Sequence, residues 1–237
     1  MCGRYSIAVE PTEIEERFRA EFSASRASGV PDAAEIMRPR YNAAPSQRLP
    51  VILNDDPGRI VLARWGVKPV WMTRVARKDG LINVRMETLR DKRTFQSDLA
   101  GRRCLIPADG FYEWKAVTGT RKIPFRITRK DGKLFAFAGI WEEAPVGGGE
   151  PRFAIITTAA NELMRPIHAR MPVILDQEEE QEWLSGSEKV WDMIRLLASP
   201  TAVPMRAYEV SREVNRASVD VPDLIRPVAE DSAPGEG

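Results

Sequence analysis

Apolar residues near the start of the chain recur at two different spacings. RYSIAV is short and strand-like, whereas Ile14, Phe18 and Phe22 fall four apart within PTEIEERFRAEF. With Pro11 at its start and acids in the first turn, that second stretch predicts an amphipathic helix over 11–22. SASRASGVPDAAE is small and polar and predicts a loop; PRYNAAPSQRLPVILN predicts a loop running into a strand, and RIVLARWGVKPVW a strand and turn. Further on, RRCLIPADGFYEWK, IPFRITR, LFAFAGIWEE and RFAIITTAA are aromatic and β-branched runs separated by TGT, KDGK and PVGGGEP, the pattern of strands and hairpins. NELMRPIHARMPVIL predicts a short helix, a loop and a strand, while DQEEEQEWLSG and KVWDMIRLLAS carry helical spacing. No repeat is present, and the Gly-rich PVGGGEP is hairpin-sized rather than a linker. The expected architecture is one α+β domain over 1–228. Its largely antiparallel, open-barrel-like β core is flanked by helices, and a frayed tail follows at 229–237.

Composition narrows the class. A chain of 237 residues, 43% hydrophobic and 29% charged, suits a folded protein with a sizeable core. No basic segment followed by an apolar run opens the chain, and no stretch nears about 20 apolar residues. A cytoplasmic or nucleoid-associated protein without a membrane partner is therefore expected. Two cysteines and a single histidine cannot form a tetrahedral Cys/His set, and no DxDxDG loop occurs, so neither metal nor cofactor is expected. The net charge of +1 excludes a uniformly basic protein. Between Arg59 and Arg103, however, cations far outnumber the four acids Asp79, Glu87, Asp91 and Asp98, while DQEEEQEW and the chain after Arg212 are acidic. One face can thus be positive on a nearly neutral molecule.

Several residues invite chemistry, each beside a plainer alternative. Cys2 follows Met1; if Met1 is removed, an amine and a thiol sit on adjacent carbons, and both attack electrophilic carbon. With an aldehyde the amine gives a Schiff base and the thiol closes a five-membered thiazolidine. The alternative is a small buried side chain. His168, in RPIHARMP, titrates in the range of a general acid or base, or is simply structural. Glu113, in PADGFYEWK, shares a strand face with Phe111 and Lys115, opposite Tyr112 and Trp114, and is either a partly desolvated proton carrier or an exposed strand acid. Asn83 and Arg85, two apart in LINVRMETL, offer an amide and a guanidinium on one face, a plausible sugar-phosphate handle. Arg4 and Arg170 lie near candidate reactive residues. Trp65 and Trp71 bracket GVKPV in the basic region, as a single-strand platform requires, or are core tryptophans beside surface charge.

The ordered blocks MCGRY, RYNAAP, WGVKPVW, INVRMET, RCLIPADGFYEW, ITTAANELMRPIHARMPVIL and VSREVN closely resemble the SOS response-associated peptidase (SRAP) family from Met1 to about Pro227. The resemblance implies a sensor of abasic sites in single-stranded DNA that links its N-terminal cysteine to the ring-opened sugar as a thiazolidine, and a thiol autopeptidase. It implies Cys2 as nucleophile, Asn83 positioning it and the sugar, and Glu113 and His168 handling protons. It also implies Arg4, Arg85 and Arg170 on phosphates, with Trp71, Asn42, Pro45 and Thr157 lining the site. The partner that the resemblance implies is lesion-bearing single-stranded DNA (nucleoid-associated when bound to it), and a monomer is expected. The sequence departs from the family pattern at Val84, where alanine is usual, at Ser46 and Gln47 after RYNAAP, and at Met72 after Trp71. The competing readings are a peptidase cleaving other proteins through Cys2, and a noncovalent single-strand binding module.

Overall fold

A computed structural model describes residues 2–22, 38–68, 80–91, 99–143, 150–185 and 203–228, with single positions at 192, 195 and 197. The chain runs β1 (Tyr5–Ile7), α1 (Pro11–Phe18), β2 (Glu21–Phe22), β3 (Arg40–Ala43), β4 (Arg48–Leu53), β5 (Arg59–Trp65) and β6 (Asn83–Arg85), which leads straight into α2 (Met86–Asp91). Then follow β7 (Arg103–Ala108), β8 (Gly110–Ala116), β9 (Lys122–Arg129), β10 (Phe135–Glu142), β11 (Arg152–Ala159), β12 (Arg170–Pro172), β13 (Ile174–Leu175), α3 (Gln177–Ser185) and β14 (Met205–Glu209). Two 3-10 turns, Arg212–Asn215 and Pro222–Ile225, complete the described fold.

Two sheets share the work. One is an antiparallel sheet in the order β14-β9-β8-β1-β3. In the other, β5-β4-β7-β10-β11 run antiparallel, and β11 returns to β5 by a two-residue parallel step, Arg152 beside Arg64 and Phe153 beside Trp65. The ring is thus closed at one short seam, beyond which β6 takes over as the parallel neighbour of β11. β10 shows why the ring is a core. Its FAFAGI run is buried throughout, and at Gly139 a Cβ would lie 2.3 Å from Ile106 Cδ1 and 2.9 Å from Cys104 Sγ. The aromatic centre joins both sheets: the Tyr5 ring packs edge-on to Trp65 at 5.2 Å and to Phe137 at 5.8 Å.

Two local expectations are corrected. The helix expected over 11–22 ends at Phe18, because Arg19 takes a left-handed cap conformation (φ 52°) and the chain re-emerges as β2 alongside β5. Ile14, Phe18 and Phe22 still pack in one cluster, so the apolar spacing reported burial correctly and helix length wrongly. The short helix expected after Asn161 is a series of turns through Ile167, held by Arg165 N–H to Asn161 O at 2.9 Å and His168 N–H to Met164 O at 2.8 Å. The segments 23–35 and 229–237 and most of KVWDMIRLLAS lie outside the described residues. Among the described residues no helix is long and apolar enough to cross a membrane, and no group of three or more His, Cys, Asp or Glu side chains is placed to hold a metal.

After β14 the chain folds as a strap over the outer face of the first sheet. Val214 and Leu224 bury Tyr112 there, with Trp114 and Tyr208 packed alongside. Asp220 fixes the strap to β3, accepting from Tyr41 N–H at 2.6 Å, Asn42 N–H at 2.9 Å and Arg40 Nε at 2.8 Å.

Candidate functional site

Cys2 lies just ahead of β1 and is wholly buried. Strand pairing explains its neighbours. The carbonyl of Arg4 accepts Tyr112 N–H of β8 at 3.0 Å and also faces the Cys2 thiol at 3.6 Å. Glu113, the next residue of β8, points to the face opposite Tyr112, among Phe111 and the core, and is 2% exposed. Burial is the main cause that pushes the Cys2 thiol well above the ordinary thiol range, and the nearby Glu113 charge raises it further. The resting cysteine is therefore a neutral thiol. Cys104 is also free and buried, and burial alone pushes its thiol up.

Asn83 reaches Cys2 from the second sheet. β6 is aligned by its parallel pairing with β11, including Ile155 N–H to Ile82 O at 3.1 Å, and Asn83 Nδ2 donates to the Cys2 carbonyl at 2.8 Å. Its Oδ1 is buried with no hydrogen-bond partner among the described residues. The carbonyl of Cys2 is thereby gripped by an amide whose acceptor end remains available to a hydroxyl.

His168 follows the turns after β11. Its Nδ1 lies 4.0 Å from Glu113 Oε1, accepts Arg170 N–H at 3.0 Å, and stands 3.1 Å from Arg170 O. Accepting that N–H places the proton of neutral imidazole on Nε2; the imidazolium instead turns an N–H toward the Arg170 carbonyl and Glu113. Its side chain is 31% exposed, so His168 spans the buried carboxylate and solvent.

The arginines are held differently. Arg4 is half-buried and donates to Asn42 Oδ1 at 2.9 Å and Val214 O at 2.8 Å. Arg170 forms a two-point pair with Glu87 at 2.7 and 3.0 Å and donates to Thr157 O at 2.6 Å. That hydrogen bonding holds the Glu87 carboxyl below its ordinary range. Arg85 is exposed, its charge helps to hold Glu87 low, and no side-chain hydrogen bond or ion pair engages it among the described residues.

The remaining sequence candidates divide. Thr157 is buried beside Arg170, its Oγ1 3.4 Å from Val84 O. Asn42 is wholly buried, and its Nδ2 faces three strap carbonyls, Val214 at 3.3 Å, Arg216 at 3.0 Å and Val219 at 2.8 Å, so its amide holds the strap. Pro45 is half-buried on the β3–β4 turn, where Ser46 N–H donates to Trp65 O at 2.9 Å. Trp65 is a core residue bonded to Ile82 O at 2.8 Å, and Trp71 lies outside the described residues. Sequence reasoning gave no role to Glu87, present only as an acid in a basic stretch, nor to Asp220; each reveals itself through a partner at least 83 residues away.

The chain is similar to known proteins. The family model described as SOS response associated peptidase (SRAP) matches residues 1–217. The abasic site processing protein YoqW of Bacillus subtilis is 42% identical, with 95% of this chain and 99% of YoqW covered. YedK of Escherichia coli, also named an abasic site processing protein, is 31% identical over 96% of this chain and all of its own length. A crystal structure of a Bacteroides thetaiotaomicron protein superposes with a TM-score of 0.79 at 26% identity, covering 96% of this chain and all of that one.

Proposed function

The chain belongs to the SOS response-associated peptidase family, and from that premise we propose that it captures abasic sites in single-stranded DNA as a covalent thiazolidine on Cys2 once Met1 is removed. Relatives named abasic site processing proteins support a role in handling that DNA lesion. The observation that carries the finer reading is the convergence on Cys2: a buried thiol, a carbonyl gripped by Asn83, and the Glu113–His168 pair 4.0 Å apart beside it.

The chemistry balances without any co-reactant. The sugar is mostly a closed hemiacetal. His168, in contact with solvent, gives a proton to the ring oxygen as the C1 hydroxyl loses one, and the aldehyde is released. The Cys2 amine adds to C1, and the carbinolamine loses water to give an imine. The thiol then adds to the imine carbon as its proton passes, by way of Glu113, to the imine nitrogen. One C–N and one C–S bond form and one water leaves. The amine adds first to give the imine, and ring closure by the thiol gains from being intramolecular. Asn83 Oδ1, buried without a hydrogen-bond partner among the described residues, would accept a sugar hydroxyl.

The deciding experiment mixes protein verified by mass to start at Cys2 with a single-stranded oligonucleotide carrying one abasic site, followed by a denaturing gel. A retarded band is expected with the lesion and absent with an intact strand or with protein that keeps Met1. Its absence from Cys2-starting protein would end the proposal.

A further inference from the structure

The β8–β9 hairpin carries charge that the site does not use. From Trp114 to Lys130 the chain has six cations and no acid. Arg126 is buried against Asp109 at 3.1 Å, and Arg129 pairs with Asp131 at 2.7 Å. At the hairpin's far end Lys115 and Arg121 are exposed, and no ion pair or side-chain hydrogen bond engages them among the described residues.

Register places both on one face with Glu113. Lys115 stands opposite Ile123 and Glu113 opposite Phe125, while Val117 N–H donates to Arg121 O at 3.1 Å. By strand alternation Glu113, Lys115, Val117 and Arg121 therefore point the same way. Each step of two residues advances about 7 Å along the strand. Val117, 48% exposed, is one of three exposed large hydrophobic residues among those described. The opposite face is occupied, since Tyr112 and Trp114 lie under the strap and Trp114 Nε1 donates to Asn215 Oδ1 at 2.6 Å. The uncovered face thus leads from the buried carboxylate outward past an unneutralised lysine, an apolar side chain and an unneutralised arginine.

We infer that this face of the β8–β9 hairpin is a track for the single strand flanking the lesion, with Lys115 and Arg121 on successive phosphates and Val117 against a sugar or base. The occupant follows from charge complementarity and from continuity with the site, and so the inference rests on the DNA-capture reading. A strand leaving the site passes the hairpin in one direction only, so the contact serves one flank.

The test compares Lys115→Gln/Arg121→Gln with a charge-matched control, Lys130→Gln/Lys133→Gln, at the other end of β9. Both pairs are exposed, and thermal melts check that folding is intact. Anisotropy titrations with an intact single-stranded oligonucleotide over a range of salt need no crosslinking. The hairpin variant should lower the slope of log affinity against log salt by about 1.4 and weaken binding on the order of tenfold near 0.1 M salt, with the control close to wild type. Crosslinking at limiting DNA should slow for a lesion near one end of the strand and not the other. Equal losses in both variants, or equal slowing for both lesion placements, would overturn the track. Wild type that binds through the hairpin yet forms no adduct would instead overturn the covalent reading alone.

Discussion

Replacing Asn83 tests whether the grip on Cys2 sets the position of the attacking amine. Asn83 Nδ2 donates to the Cys2 carbonyl at 2.8 Å, and that carbonyl, the α-carbon and the amine form one short covalent frame. In Asn83→Ala the wholly buried cysteine keeps a carbonyl without that donor. A lost hydrogen bond that strands a buried acceptor costs about 1–3 kcal/mol. If the cost falls on the positioned state, single-turnover crosslinking at saturating lesion DNA should slow about 5- to 150-fold. Asn83→Asp should be slower still, because a carboxylate oxygen would face the carbonyl oxygen and repel it. The assay is the time course of the denatured, retarded band, with a thermal melt to show that each variant is folded. An order of Asn, then Ala, then Asp is required; an Asp variant reacting at the wild-type rate would refute the reasoning.

Glu113→Gln should divide two reactivities. Losing the charge that raises the thiol speeds Cys2 alkylation by iodoacetamide, while losing the proton carrier slows DNA crosslinking; a parallel rise or fall of both would contradict the assigned roles. Asn42→Ala removes the acceptor for Arg4 and a donor shared by strap carbonyls, and should cost about 2–4 kcal/mol in urea unfolding and raise hydrogen exchange in 212–225; unchanged protection there would refute its role as a strap anchor. Glu87 is held below its ordinary range by Arg170, so the stability it adds is present above the carboxylate range and is lost as pH falls through its lowered folded value. Because Glu87 is 39% exposed, Glu87→Gln should cost under about 1 kcal/mol at pH 7 and nothing in strong acid; a deficit that persists in acid would mean the pair is not its source.

The strands were legible because their apolar runs are bounded by turn residues, and β7 to β11 lie where those runs predict. Ring closure was not legible. The step joining Trp65 to Phe153 links residues 88 apart in the sequence and leaves no local period. The overlong first helix shows the same limit, since a spacing of four is satisfied by Phe22 whether it sits on the helix or on β2. At the site, residue chemistry raised Cys2, Glu113 and His168 only beside plainer alternatives and the family resemblance chose between them, whereas alternation sent Glu113 and Tyr112 to opposite faces. The use of Asn42 could not be read, because an amide that lines a cleft and one that ties down a strap have the same letter. What separates them is three carbonyls more than 170 residues further on.

The most direct test of the account asks whether both nucleophiles of Cys2 enter the product. Wild type and Cys2→Ser, each verified to start at residue 2, are reacted with abasic single-stranded DNA, half of each sample is treated with borohydride, and all are heated in denaturant. The thiazolidine account predicts that the wild-type adduct survives without reductant, with the mass of protein plus DNA less one water. The serine variant, which retains only the amine, should survive only after its imine is reduced. A serine variant whose unreduced adduct is as durable as that of wild type would contradict it.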